Sequence, residues 1–515
     1  MQRESGPPTT VRCLLFCCLS LGGALSAVAQ SQSSGSLNDP VILAQLNALE
    51  QRAAIANQAV YDVLAPLCAP PAGGPPTGAC TSSQVQSVFA NVQQLVQTAN
   101  EILGRGPISE SLGLDVQGLG RALQWTAAEE LLAQGSIATR FAGNQQATLS
   151  SRLAALRVVS RALRIADGRE TPTGDDESVL AAASPALLLG GGASADGSGY
   201  SRLNIFFDGS SGWGTKDPTD LEDAFAFRAR EYSIGVDYRL SASVVAGLIA
   251  GYSDRRVDFD SSQSVVDGNM TGKGWNALLF MQWDSEHAYV AGSLGYQRLA
   301  YAELRGIHYP SLNPAVPSVD TAVNGDTHSH AFLASLNAGL PWHARNFGAE
   351  LYLKGDYLNV SVDGFTETLA SGADDRQFQF QVDSQSIKSF DSAVGLKLDG
   401  TFSAKSMVFV PYARAEYHRE LEPQPHVVSS FYAALPADIV SQIEAKAAFT
   451  VSSNQPGRDY QTYTFGVAAV LRGSTKVDAA GRAGGALQGY FEYTTVQRLQ
   501  YYHERVWAGG LRYEF

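Results

Sequence analysis

Long apolar runs are nearly absent from this chain, although 45% of its 515 residues are hydrophobic and the mean hydropathy is −0.08. Only the stretch 13–27 approaches a membrane-spanning length, which takes about twenty predominantly apolar residues in a helix. A polytopic helical membrane protein is thereby excluded. A transmembrane β-barrel is not, because its strands alternate lipid-facing and lumen-facing side chains and leave no continuous apolar run. An excess of cations is missing too: 37 Lys and Arg stand against 50 Asp and Glu, for a formal net charge of −13. Nucleic acid is therefore not an expected partner. Signatures of chemistry are lacking as well, with no G-x-S-x-G, P-loop, H-E-x-x-H or dinucleotide fingerprint. His328 and His330 alone are too few for a metal site. Asp258, Asp260 and Asp267 share a loop but lack the spacing of a calcium-binding EF-hand. No enzymatic activity, cofactor or metal is expected.

Cysteine is sparse, five in all. Cys13, Cys17 and Cys18 lie in the N-terminal apolar stretch, which follows Arg3 and Arg12 and precedes the small-residue site Ala27-Val28-Ala29. That pattern predicts a signal peptide over 1–29, cleaved before Gln30. Bulky Phe16 before Cys17 argues against a lipoprotein. The remaining pair, Cys68 and Cys80, flanks the Pro- and Gly-rich stretch 69–79. In an exported chain two cysteines closing a short loop are most simply a disulfide.

Residues 30–166 have helical periodicity. Asn38 and Asp39 before Pro40 mark a helix start, and Ile42, Leu46, Leu49, Ala53, Ala56 and Val60 recur every three or four residues. A second helix follows Thr81–Ser83 and ends near Gly104, a third covers 116–133, and a fourth covers 147–165. Residues 167–199 are rich in Gly, Ala and Ser and read as a flexible linker.

From Tyr200 onward the period becomes two. Strands are predicted near 200–213, 225–240, 243–256, 270–284, 287–304, 327–343, 346–362, 384–400, 404–419, 458–473, 485–496 and 500–515. Turns after the second, fourth, sixth and eighth are short, whereas connections after the third, fifth, seventh and ninth are long and polar. Short periplasmic turns and long external loops are the pattern of an outer-membrane barrel. The faces agree: Tyr232, Ile234, Val236, Tyr238 and Leu240 alternate with Ser233, Gly235, Asp237 and Arg239. A charge facing lipid at mid-depth costs roughly 2–4 kcal/mol, so the charged parity must line the lumen.

The final strand places Trp507, Gly509, Leu511, Tyr513 and Phe515 on one face, with Arg512 and Glu514 on the other. Leu511, Tyr513 and Phe515 resemble the C-terminal signal read by the barrel assembly machinery. Tyr232–Ser253 (YSIGVDYRLSASVVAGLIAGYS), Arg458–Ser474 (RDYQTYTFGVAAVLRGS) and the closing LRYEF look like strands of autotransporter β-domains. Trp125–Arg157 is similar to the segments placed just upstream of such barrels. The resemblance covers 200–515 and implies a twelve-stranded antiparallel transmembrane β-barrel, preceded here by a small all-α segment. It further implies a lumen occupied by a helical linker, residence in the bacterial outer membrane amid its lipid, and passage through periplasmic chaperones. Its long repetitive passenger is missing from this chain. The expected function is a type V translocator that presents or exports the helical segment 30–166 at the cell surface. The alternative is a passive barrel or surface-interaction protein whose helices plug the lumen; a barrel-embedded hydrolase using Asp237, Asp356, Glu416 and His418 ranks below both. The helix 147–166, with Arg152, Arg157, Arg161 and Arg164, is the expected plug, its lumenal partners being Asp237, Asp356, Glu416 and Glu514. Deleting Phe515 should lower the yield of folded, heat-modifiable barrel in the outer membrane at native expression.

Overall fold

The computed structural model describes residues 36–153 and 203–514, with gaps at 71–73, at several positions in 136–152 and at short stretches of the barrel connections. The expected signal peptide, the linker 167–199 and Phe515 lie outside the described residues. The C-terminal part is a closed antiparallel barrel of twelve strands. These are β1 Leu203–Lys216, β2 Phe225–Ser241, β3 Val244–Phe259, β4 Gly268–Asp284, β5 Tyr289–Tyr309 and β6 Val319–Ala344. The second half comprises β7 Phe347–Val362, β8 Gln385–Gly400, β9 Met407–Glu420, β10 Asp459–Arg472, β11 Ala486–Gln497 and β12 Tyr502–Glu514. Each strand pairs with its neighbours in sequence, and β1 pairs with β12 to complete the ring.

Alternation fixes which side of each strand meets lipid. Ile234, Leu279 and Leu353 are 56%, 58% and 65% exposed, while Asp237, Asn276 and Tyr352 on the opposite parity are buried. The outward row is aliphatic at mid-height and aromatic toward both ends, as a bilayer with polar interfaces requires.

The N-terminal segment forms a helical domain. Asp39 caps the short α1, Pro40–Leu43, and Asn47 with Glu50 builds a reciprocal capping box at the start of α2, Ala48–Cys68. The single helix expected from Pro40 onward is thus two, because Asn47 satisfies the amides of a new first turn. Helix α3 spans Ser83–Ile102 and α4 spans Val116–Trp125. The helix expected over 116–133 ends early: Ala128 adopts a left-handed conformation (φ 55°) and a 3-10 turn covers Glu129–Leu132.

The long connections are not plain loops. Residues 365–366, 380–382, 427–432 and 449–452 build a four-stranded sheet, and α5 covers Ala437–Glu444. β5 and β6 also continue beyond the expected strand ends and stand above the rest of the wall. Helical domain and loops share one apolar core, in which Leu49, Val60, Val92 and Leu123 join Ile307, Val323, Phe380 and Tyr432. Polar contacts cross the same junction: Leu49 N–H donates to Asp220 O at 3.1 Å, and Tyr432 Oη–H donates to Asn57 Oδ1 at 3.0 Å. The helices therefore sit at the long-loop end of the barrel.

Cys68, at the C-terminus of α2, and Cys80 face each other with Cα atoms 5.1 Å apart. That separation suits a disulfide, which would staple the α2–α3 connection. Alkylation under non-reducing conditions should find no free thiol in the mature protein. A Cys80→Ser variant should lose at most about 3 kcal/mol of helical-domain stability, since the closed loop is short.

Candidate functional site: the occupied lumen

Half of the lumenal wall is built from charged side chains that neutralise one another across strands. Arg512 of β12 reaches Asp237 of β2 at 3.0 Å, and Asn204 of β1 donates to the same carboxylate at 2.7 Å. Lys354 and Asp356 pair at 2.6 Å within β7. Glu416 of β9 accepts from Tyr352 Oη at 2.8 Å and from Thr462 Oγ1 at 2.7 Å. Glu492 accepts from Tyr412 Oη at 2.7 Å and from Arg414 at 3.0 Å. Buried charges persist when each has a partner and remaining hydrogen-bonding groups are met. Both ring nitrogens of His418 are held, by Asp391 at 2.7 Å and by Thr462 at 3.1 Å. Asp237, Asp356, Glu416 and His418 are therefore held in wall contacts, the last two sharing the Thr462 hydroxyl.

Several inward aromatic rings lie across glycines of the adjacent strand. Phe206 covers Gly235, Phe280 covers Gly247, Tyr352 covers Gly395 and Tyr412 covers Gly466; a Cβ at any of these glycines would overlap the ring. Each ring and its glycine are direct partners in the strand register. The lumenal tyrosines had no place in the charge pattern of the sequence, yet an aromatic on the polar parity was the signal for them.

An apolar patch of the wall, made by Phe206, Val245, Ile249, Leu278, Phe280 and Ala291, meets a helix. The described residues between 133 and 153 are helical. Gln134 stands at the long-loop mouth, where its Nε2 donates to Glu303 at 3.2 Å and its Oε1 accepts from Gln385 at 3.0 Å. Gly135 is required there, because a Cβ would come within 2.6 Å of His426 Nδ1. Farther in, Ile137 sits over Gly272, and Gln146 Nε2 donates to the Ala334 carbonyl at 3.2 Å. Leu149 and Leu153 pack on Phe206, Ile249, Leu278 and Phe280. A cavity of about 360 Å³ remains beside the helix, bordered by Gln146, Ser150, Lys354, Asp356 and Glu416.

The plug thus begins some twelve residues earlier than expected. Arg152, Arg157, Arg161 and Arg164 lie outside the described residues, as does the side chain of Glu514, while Asp237, Asp356 and Glu416 are taken by the wall. Leu511 and Tyr513 occupy the outward row of β12, half exposed. His328 and His330 also point outward, with Ser329 between them bonded to Tyr301 at 3.0 Å. Asp258 pairs with Arg256 at 2.5 Å and Asp267 with His308 at 3.5 Å; Asp260 lies outside the described residues.

A collar of carboxylates joins α4, the mouth of the barrel and the loops. Asp223 Oδ2 accepts from the backbone amides of Val265 and Val266, and its Oδ1 accepts from Gln124. Glu129 accepts from the Asp223 amide at 2.9 Å and from Gln124 at 3.1 Å. Burial holds the Glu129 carboxyl well above its ordinary range, and nearby Asp223 and Glu130 add to the effect. Burial likewise pushes Glu130 up to about 8, against the pull of Arg305; neither of its oxygens has a hydrogen-bond partner among the described residues.

A closed antiparallel barrel with an apolar outside, a charge-paired inside and a helix in the bore is an outer-membrane β-barrel with an occupied lumen. Residues 205–482 match the family model of the autotransporter β-domain, more than half of the chain, and the protein belongs to that family. Among solved structures, the translocator domain of the autotransporter NalP from Neisseria meningitidis is 13% identical, with a TM-score of 0.44 over 62% of this chain and 91% of that one. The β-domain of the Bordetella autotransporter BrkA is 16% identical, with a TM-score of 0.38 over 61% and 99%. The transport unit of the autotransporter AIDA-I from Escherichia coli is 12% identical, with a TM-score of 0.35 over 61% and 90%. No significantly similar curated protein was found.

The collar makes docking of the helical domain depend on pH. An unfolded glutamate ionises near pH 4.5, whereas folded Glu130 keeps its proton to about 8. Stability from this group is complete at low pH and is lost as the pH rises through that window. His426, lowered to about 4 by burial, acts in the opposite direction only below its ordinary value of about 6.5. Between pH 6.5 and 8 the helical domain should therefore become easier to digest with trypsin in urea, by at most about 2 kcal/mol per glutamate. Glu130→Gln should flatten that dependence, leaving the share of Glu129.

Proposed function

We propose that the protein is a translocator whose barrel presents its own N-terminal helical domain at the cell surface. The observation that carries this reading is the path of the chain. The helical domain packs on the long loops, the 133–153 helix enters the lumen from that end, and Leu153 reaches Phe206 at the start of β1. Long loops of outer-membrane barrels face outward, so this path is the one left by a segment that has passed through the bore. The shared core between helices and loops favours display over release, because a freed domain would expose Phe380 and Tyr432. A passive barrel with periplasmic helices would place the domain against the short turns. In this reading the protein is non-enzymatic. It is inserted by the barrel assembly machinery through Leu511, Tyr513 and Phe515 after escort by periplasmic chaperones.

An epitope inserted beside Ser83 should be reached by antibody on intact cells. Removing 30–198 in frame should open a conducting pore in planar bilayers, while the full chain stays largely closed. An epitope visible only after permeabilisation, with equal conductance of both forms, would replace display by the passive-barrel reading.

A further inference from the structure

The outward face of the barrel carries a second pattern, separate from the lumen. At the long-loop end an outward aromatic is followed, two residues farther toward the loops, by a cation on six strands. The pairs are Tyr232 with Arg230, Trp275 with Lys273, Tyr296 with Arg298, Phe390 with Lys388, Tyr417 with Arg419, and Trp507 with Arg505; all twelve side chains are exposed. Arg228 and Arg256 add further cations on β2 and β3, and His330 follows Phe332 in the same way. Two residues of a strand that rises about 3.4 Å each and tilts by about 40° lift the cation roughly 5 Å above the ring. Eight Arg and Lys in this tier face five carboxylates of the same parity, Asp254, Asp258, Asp326, Asp363 and Asp459, with Asp320 farther out on β6, in a chain whose overall charge is −13. Among the described residues only Arg256 of these eight meets a carboxylate in an ion pair.

The short-turn end is built differently. Its outward aromatics Tyr238, Trp283, Trp342 and Tyr513 have no Arg or Lys beyond them on the same face among the described residues. An interface anchor alone would be needed at both ends. Among the described residues the cationic tier stands at one end, which matches anions enriched in one leaflet.

We propose that this tier binds phosphorylated headgroups of lipids in the leaflet around the long-loop end, with acyl chains against the aromatic row and phosphates on the cations above it. Guanidinium groups suit phosphate because they donate two parallel hydrogen bonds. Spacing between neighbouring strands of about 4.8 Å brings cations from adjacent strands to one headgroup, as with Arg228 of β2 and Arg256 of β3, which are direct register partners; Arg230 and Lys273 stand on either side of β3 with Asp254 between them. The outer-membrane location supports the inference, which is independent of whether the helical domain is displayed.

The test uses the full chain folded in neutral detergent, titrated with bis-phosphorylated lipid A and with the same lipid after dephosphorylation. The phosphorylated form should bind at least ten-fold more tightly, and the preference should shrink as salt is raised. The combined variant Arg230→Gln, Lys273→Gln, Arg298→Gln and Arg419→Gln should lose most of that preference, whereas exchanging Arg for Lys and Lys for Arg at these positions should retain it. Equal binding of the two lipids by the wild type overturns the proposal, and that comparison stands even if the combined variant does not fold. An unchanged preference in a folded, heat-modifiable Gln variant also overturns it. So does a variant that alters only self-association, since the tier would then serve protein contacts.

Discussion

Inside a bilayer every peptide N–H and C=O must find its partner within the protein, because no water is there to replace one. Most features of this fold follow from that requirement. A sheet with edges cannot meet it, so β1 must reach β12 and the strand number must be even for both termini of the barrel to lie on one side. Closure in turn creates an inside that cannot be apolar throughout without becoming a second lipid phase, nor charged throughout without unpaired ions. The wall resolves this by segregation. Charges compensate one another on β7 through β12, joined there by Asp237 of β2, and again between Glu231 of β2 and Arg255 of β3 nearer the long loops; the apolar patch centred on β1, β3 and β4 is left for the helix to cover.

Much of this is legible because the parity rule is strict. Along β2 each outward residue from Tyr232 to Leu240 is apolar, and no soluble fold needs such a row beside Asp237 and Arg239. The strand limits follow within a few residues except on β6, where Val319–Asp326 reads as a polar loop. Those residues pair with the raised end of β5, and their inward side chains Val319 and Val323 are covered by the helical domain, a tertiary event that alternation over so few residues does not announce. The sheet within the long loops was missed for the same reason: 427–432 and 449–452 are too short to register alone. Local alternation was present in both, as was the amphipathic spacing of 437–444. The early start of the plug was hidden by Gly135, a residue that breaks helical patterns in sequence but here makes room for His426.

The helical domain is not an autonomous globule. Its longest helices, α2 and α3, carry apolar residues on more than one side, and the surplus is satisfied only by Phe380, Tyr432 and their neighbours in the loops. Asp223 and Glu129 extend the same dependence to polar groups, since each completes the hydrogen bonding of the other's backbone or side-chain partner. Helices and barrel are thus energetically one body joined through a collar, even though the sequence separates them by composition and periodicity.

The rings that lie over glycines have a bearing on how the wall finds its correct alignment. Alternation of faces rejects any mispairing by one residue, because the whole strand would be turned over. It is blind to a displacement by two, which keeps every lipid-facing residue facing lipid. Phe206 opposite Gly235, Phe280 opposite Gly247, Tyr352 opposite Gly395 and Tyr412 opposite Gly466 are sensitive to that displacement: sliding either strand by two brings the ring against a neighbour with a side chain. These four sockets act as a vernier on strand pairs spread around the ring, reading the alignment that hydrophobicity alone leaves degenerate.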